Sequence, residues 1–295
     1  MRRFESAQAS PFDMRGGGSG EVGSPIEMLA VLLVCLLAAG CAGLGLTAQS
    51  GRQEIIDRIV ASSVKVSIEQ DGRRVASGSG VVIASSPAGP DRDPRSLVLT
   101  AAHVLEGWEG GQLFVRCPGA LAGSGKFPAA LKYRTPSGSP DLALLEVRGV
   151  SLPAARYLAE EEVRLGEEIL IVGYPWGKRL GLFSGIVSQV PMNVAEDGSA
   201  GEGADQTLVV DASSSKGVSG GGVFRAASGT LVGIVEGYQT ASIAVRDRSQ
   251  TYSVKIPMPG ETFVVPLMRI REFLAGADPK LAAGMPGDLR SPRSK

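Results

Sequence analysis

Apolar residues in this chain fall into short runs broken by Gly, Pro, Asp and Ser. Runs of strand length lie at 64–68, 80–83, 96–100, 112–115, 142–147, 168–172, 182–190, 207–210, 222–224, 231–236 and 262–265. Short strands at this spacing, each closed by turn residues, predict an all-β barrel or sandwich. Two segments depart from the pattern. RQEIIDRIVAS at 52–62 carries apolar residues at helical spacing and should lie against the first strand, and 267–274 reads as a closing helix. Segment 191–206, PMNVAEDGSAGEGADQ, has no apolar period, and 239–261 reads as a second long connection. Long loops in a compact domain are often functional, so both are candidates for shaping a cleft.

The longest apolar run is of a different kind. Residues 28–46, MLAVLLVCLLAAGCAGLGL, contain no charged side chain. This is the lower edge of what a membrane-spanning helix needs and long for a signal-peptide core. Inside it, Leu37-Ala38-Ala39-Gly40-Cys41 resembles a bacterial lipobox with Cys41 as the lipidated residue. Lipoprotein signal and uncleaved anchor both fit, and either places the rest of the chain outside the cytoplasm, on the periplasmic side of a bacterial membrane. In the leader, residues 1–27, acidic residues outweigh Arg2, Arg3 and Arg15, and its composition predicts disorder. The tail, 276–295, has scattered charge with Pro and Gly and should be loose. Residues 52–275 are left as the folded domain.

Composition narrows the function. Thirty basic residues balance thirty acidic ones, so charge gives no reason to expect nucleic acid as a partner. Of three cysteines, Cys35 and Cys41 lie in the apolar run, so the folded part has only Cys117 and no internal disulfide framework. Cys117, in the strand-like LFVRC segment, is expected to be a buried, inert thiol. There is one histidine, His103. Sites built on two or more histidine ligands are therefore excluded, which removes most zinc hydrolases. No metal or cofactor is expected, and a single-histidine acid–base mechanism survives.

Three segments supply the parts of such a mechanism. LVLTAAHVL (97–105) runs an apolar strand into small residues and the histidine. PDLALLEV (140–147) sets Asp141 at the mouth of an apolar strand, and GVSGG (217–221) sets Ser219 in a glycine-rich turn. Each has a plain structural reading alone: a satisfied histidine, a turn-forming aspartate, a hairpin loop. Together their order is His, Asp, Ser, which is the order of the chymotrypsin-type triad. Separations of 38 and 78 positions put the first two in one barrel and the serine in the next, with the triad in the cleft between them. A serine hydroxyl is a weak nucleophile without a base, which His103 would supply. Asp141 would fix the tautomer of His103 and stabilise its imidazolium. The glycines would let the N–H groups of Gly217 and Ser219 converge as an oxyanion hole.

On these residues the chain resembles the trypsin-like serine peptidases, and among them the bacterial HtrA/Deg branch. SGSGVVI (77–83), LTAAHVL (99–105), PDLALLEV (140–147), IVGYPWG (171–177), SGIVS (184–188), DASSSKGVSGGGVF (211–224) and FVVPLMRIREFL (263–274) are similar to that branch's segments in order. The resemblance implies two six-stranded antiparallel barrels with a short C-terminal helix, behind the N-terminal apolar segment. It implies a serine endopeptidase acting on polypeptide through an acyl-enzyme. It also places Ser213, Ser214, Glu236 and Tyr238 around the primary specificity pocket, where Glu236 would favour a basic side chain. Only 276–295 follow the domain, so no appended PDZ domain is expected.

Some positions depart from the family. Val218 stands where trypsin has the aspartate that receives a new N-terminus, so activation of that kind is not expected. Lys216 and Gly222 stand where the family commonly has proline, which would loosen the oxyanion turn. Those two positions motivate an alternative reading, an idle domain that binds unfolded polypeptide or a partner protein. Lys216 reads as an exposed loop lysine rather than a second base. The sequence sets no expectation for the oligomeric state.

Overall fold

The structure, a computed structural model, describes residues 50–90, 93–107, 111–118, 125–136, 140–157, 162–191, 207–247 and 250–277. The leader, the apolar run with Cys41, the 276–295 tail beyond Ala277, and almost all of loop 191–206 lie outside the described residues. Among the described residues, no helix is long and apolar enough to cross a membrane.

Six strands form the first barrel: β1 (Ser63–Gln70), β2 (Arg73–Ser86), β3 (Arg95–Thr100), β4 (Gln112–Arg116), β5 (Lys126–Arg134) and β6 (Ala143–Arg148). They close in the order β1-β2-β3-β6-β5-β4. The second barrel comprises β7 (Glu168–Gly173), β8 (Gly181–Gln189), β9 (Leu208–Asp211), β10 (Gly222–Arg225), β11 (Leu231–Asp247) and β12 (Gln250–Pro266). It closes as β10-β11-β12-β9-β8-β7, and every ladder in both barrels is antiparallel. Helix α1 (50–61) precedes β1 and α2 (Leu267–Ala277) follows β12. The expected two-barrel fold with a closing helix is therefore present.

The continuous apolar runs have a simple cause. Successive strand residues point to opposite faces, and where the barrels meet both faces are covered. In β2, Val82 points into the first barrel while Val81 and Ile83 join the core between barrels. In β7, Ile169 and Ile171 fill the second barrel while Leu170 and Val172 turn to the first. The shared core also takes Ile59 of α1, Phe224 of β10 and Ile270, Phe273 and Leu274 of α2. Both helices thus act as covers over the junction.

Two expectations need correction. The sequence pattern does not show strand β5, because KFPAALKYR carries Pro128 and exposed Lys132 and Arg134. Pro suits only strand edges or places where its missing N–H is not needed, and so masks such a strand in sequence. Segment 239–261 is not an irregular connection. It is the far part of the β11–β12 hairpin, paired residue for residue from Thr240 to Asp247.

Candidate active site

Strands β3 and β6 bring the first two candidates together. Their ladder pairs Thr100 with Ala143, so the residues just past one strand and just before the other are neighbours. His103 sits in a 3-10 turn (Ala102–Leu105) directly after β3. The Asp141 loop is fixed by Thr135, whose hydroxyl donates to the Pro140 carbonyl at 2.6 Å and whose N–H donates to the Leu142 carbonyl at 3.0 Å. Asp141 grips His103 at two points: Oδ1 accepts the His103 backbone N–H at 2.9 Å, and Oδ2 pairs with ring Nδ1. With Nδ1 so held, Nε2 is the ring nitrogen left for other work. The ring remains 40% exposed. The hydrogen bond that His103 donates to Asp141 raises the His103 pKa above its ordinary value, with further help from the charges of Asp141, Glu106 and Glu236, while burial opposes it.

The second barrel delivers the serine turn. Ser219 lies between Val218, fully buried in the barrel core, and β10. Its backbone is tied to both barrels. The Ser219 carbonyl accepts the Ser79 N–H of β2 at 2.8 Å, and the Gly220 N–H donates to the Val235 carbonyl of β11 at 2.7 Å. Gly78 packs against Val104, the residue after His103, and against the Ser219 carbonyl; a Cβ at Gly78 would fall 2.5 Å and 3.1 Å from them. All three candidate residues therefore converge on one junction. The hydrogen bonds found there join His103 to Asp141, and the Ser219 hydroxyl is not part of them.

The turn itself requires glycine at two places. Gly217 has φ +95° and Gly220 φ +81°, conformations that side chains disfavour. A Cβ at Gly220 would also stand 2.2 Å from the Ser79 carbonyl. The Lys216 carbonyl accepts the Trp176 N–H at 2.6 Å. Because the peptide is planar and trans, the Gly217 N–H is then directed away from Trp176. Lys216 itself is exposed, as expected of a loop lysine.

Four further candidates lie in the second barrel, Ser213 and Ser214 just after β9 and Glu236 and Tyr238 in β11. Ser213 is exposed, while Ser214 is half-buried with its Oγ enclosed and without a hydrogen-bond partner among the described residues. Glu236 occupies a bulge in β11, between Val235 and Gly237 in the β12 ladder. Burial raises its pKa, the Asp141 charge adds to the rise, and His103 opposes it. Glu236 is thus within electrostatic reach of Asp141 and His103. Tyr238 is half-buried two residues on. Cys117 is buried and free, and its thiol is pushed up to about 11 by burial, which suits an inert group. Among the described residues, no cluster of His, Cys, Asp and Glu could hold a metal.

Two residues were missed in the sequence. Ser79, buried in β2, bonds to three neighbours around the serine turn besides Ser219. Its Oγ donates to the Gly217 carbonyl at 2.7 Å and accepts the Tyr174 N–H at 2.8 Å, and its carbonyl accepts from Thr100 Oγ1 at 2.7 Å. The signal was present: glycines flanking a polar residue inside a strand mark close backbone approach. Trp176 is 62% exposed, at φ +56°, beside Lys216. A bulky non-glycine residue in this conformation is an outlier of the kind found near functional sites.

Comparison with known proteins points the same way. Residues 78–234, more than half of the chain, match the family described as trypsin-like peptidase domain. A protein of Ectopseudomonas mendocina named a probable periplasmic serine endoprotease, DegP-like, is 28% identical over 216 residues. That match covers 68% of this chain and 40% of the relative, so the chain spans less than half of the relative's length. Among solved structures, a serine endoprotease from Yersinia pestis superposes with TM-score 0.55 at 19% identity, covering 79% of this chain and 67% of that one. An inactive form of Rv3671c from Mycobacterium tuberculosis superposes with TM-score 0.53 at 21% identity, covering 79% and 92%. At such identities the two structures establish a shared fold.

Proposed function

The chain belongs to the trypsin-like peptidase domain family, and from that membership we propose that it is a serine endopeptidase with Ser219 as nucleophile, His103 as base and Asp141 as orienter. The observation that carries this reading is the two-point grip of Asp141 on His103, through Nδ1 and through the backbone N–H. That grip sets the tautomer with Nε2 unprotonated and facing the work of a base.

In the proposed reaction, Nε2 of His103 takes the Ser219 hydroxyl proton as Oγ attacks the scissile carbonyl. The serine–histidine hydrogen bond tightens only when substrate is bound, as is common for catalytic contacts. The oxygen anion that develops is met by the N–H groups of Gly217 and Ser219. The direction of the Gly217 peptide, set by the Lys216–Trp176 bond, supports this role. The imidazolium then gives its proton to the leaving amine, which breaks the C–N bond and leaves an ester on Ser219. Water activated by the same nitrogen releases the acid and restores the serine.

Ser213, Ser214, Glu236 and Tyr238 line the pocket for the residue before the cut, and Glu236 favours a basic side chain there. Substrates are polypeptides of the cell envelope. The name of the Ectopseudomonas relative supports a periplasmic setting, with the chain tethered through residues 28–46 or through lipid on Cys41. The purified protein should degrade an unfolded polypeptide and prefer a basic residue before the cut, and Ser219→Ala should abolish turnover. Binding of the same polypeptide without turnover, equal in both proteins, would instead establish the idle-domain reading.

A further inference from the structure

Strands β11 and β12 continue well past the second barrel. β10 follows β11 only as far as Ile234, and β9 pairs with β12 only at Thr262 to Val264. From Thr240 to Asp247 the two strands pair only with each other and form a projecting two-stranded arm. The register sorts its side chains by face, since directly paired residues share a face and successive pairs alternate. Ala241–Ile256, Ile243–Val254 and Val245–Tyr252 lie on one side, while Ser242–Lys255, Ala244–Ser253 and Arg246–Thr251 lie on the other. One face is thus apolar and the other polar. The large apolar side chains are nevertheless 43–51% exposed, and none belongs to the three hydrophobic cores.

We propose that this apolar face is an interface between two copies of the chain, which stack arm on arm about a twofold axis. Three observations choose this occupant. The first is area: the five large side chains are 43–51% exposed and present roughly 500 Å² per copy, so a pair that covers them fully buries about 1,000 Å², the lower limit for a specific interface. The second is charge: none of the residues in these three apolar-face pairs is charged at neutral pH, and Arg246 and Lys255 lie on the opposite face. A twofold pairing, in which each patch meets itself, therefore opposes no like charges across these three pairs. The third is shape and chemistry. The face is two strands wide and mostly Ile and Val, the residues that pack sheet on sheet. A single extended peptide would bind at a strand edge through its main chain and leave this face open. An isolated two-stranded hairpin is marginal in water, and stacking removes that weakness.

The test is sedimentation of the full chain in density-matched detergent. The unaltered protein is expected to dimerise at micromolar concentration. The pair Ile243→Lys with Val254→Lys should raise the dissociation constant at least about a hundredfold. Ser242→Lys with Ser253→Lys, on the polar face, should leave it unchanged. If circular dichroism shows the first pair misfolded, Val245→Ser is read in its place, with about a tenfold rise expected. An unaltered protein that stays monomeric at about 100 μM would overturn the proposal. So would dimers equally tight with and without the apolar-face changes, which would assign association to another part of the chain. Arm-dependent binding of a monomeric protein to phosphatidylethanolamine–phosphatidylglycerol vesicles would overturn it in favour of lipid.

Discussion

At the scale of single residues, Ser79 and Glu236 are the neighbours through which the proposed site of His103, Asp141 and Ser219 can be tested. Ser79 Oγ satisfies both the Gly217 carbonyl and the Tyr174 N–H. Ser79→Ala leaves the buried Tyr174 N–H without its partner, a cost of about 1–3 kcal/mol, and lets the serine turn drift. Steady-state kinetics should show kcat falling about tenfold or more with KM little changed. An equal loss in kcat and gain in KM would argue that Ser79 only supports the fold. Glu236 acts through charge. His103 must be neutral to accept a proton, and its pKa is raised, first by the Asp141 hydrogen bond and in part by Glu236. The acid limb of kcat/KM should therefore sit above the ordinary histidine value of about 6.5, and Glu236→Gln should move it to lower pH. A limb that stays in place or moves upward would contradict the electrostatic reading of Glu236. The same raised pKa has a stability sign: the His103–Asp141 interaction stabilises the fold fully below the unfolded histidine pKa, and that contribution fades as pH rises through the folded value.

At the scale of elements, the serine turn and the barrel junction are the places where small changes should be costly. Gly220→Ala forces a Cβ into the Ser79 carbonyl and a disfavoured φ on alanine. Turnover should be lost, and the melting temperature should fall by several degrees, reflecting a few kcal/mol of strain. Phe224 of β10 is fully buried between the barrels. Its truncation to alanine should lower unfolding free energy in urea by about 3–5 kcal/mol, and a change under about 1 kcal/mol would show the junction to be loosely packed. These elements also show what could be read from sequence and why. β3, β6 and β7 were legible because both of their faces are buried, so they read as unbroken apolar runs. β5 was not, because Pro128 and exposed Lys and Arg hide its alternation. The 239–261 ribbon reads as a connection in sequence because it lies beyond the barrel: a hairpin with no core of its own chain beneath it gives a weak, mixed pattern.

At the scale of the whole molecule, the order of His103, Asp141 and Ser219 along the chain anticipated a cleft between two barrels, and the structure brings the segments to one junction. The sequence could name the ends of this arrangement but not its middle. Ser79, which holds the serine turn from the opposite barrel, is a contact across 138 positions of sequence and no local pattern marks its partner. The electrostatic neighbourhood of Glu236 with Asp141 depends in the same way on how β11 bulges. The central claim concerns Ser219 and can be met directly. The full-length protein is treated with a fluorophosphonate, and the adduct is mapped by mass spectrometry of proteolytic peptides. A single covalent phosphonyl group on Ser219 is the predicted result, forming faster as pH rises through the raised His103 pKa and lost in His103→Ala. Absence of label from Ser219 at every pH, or label that is as rapid in His103→Ala, would contradict the account.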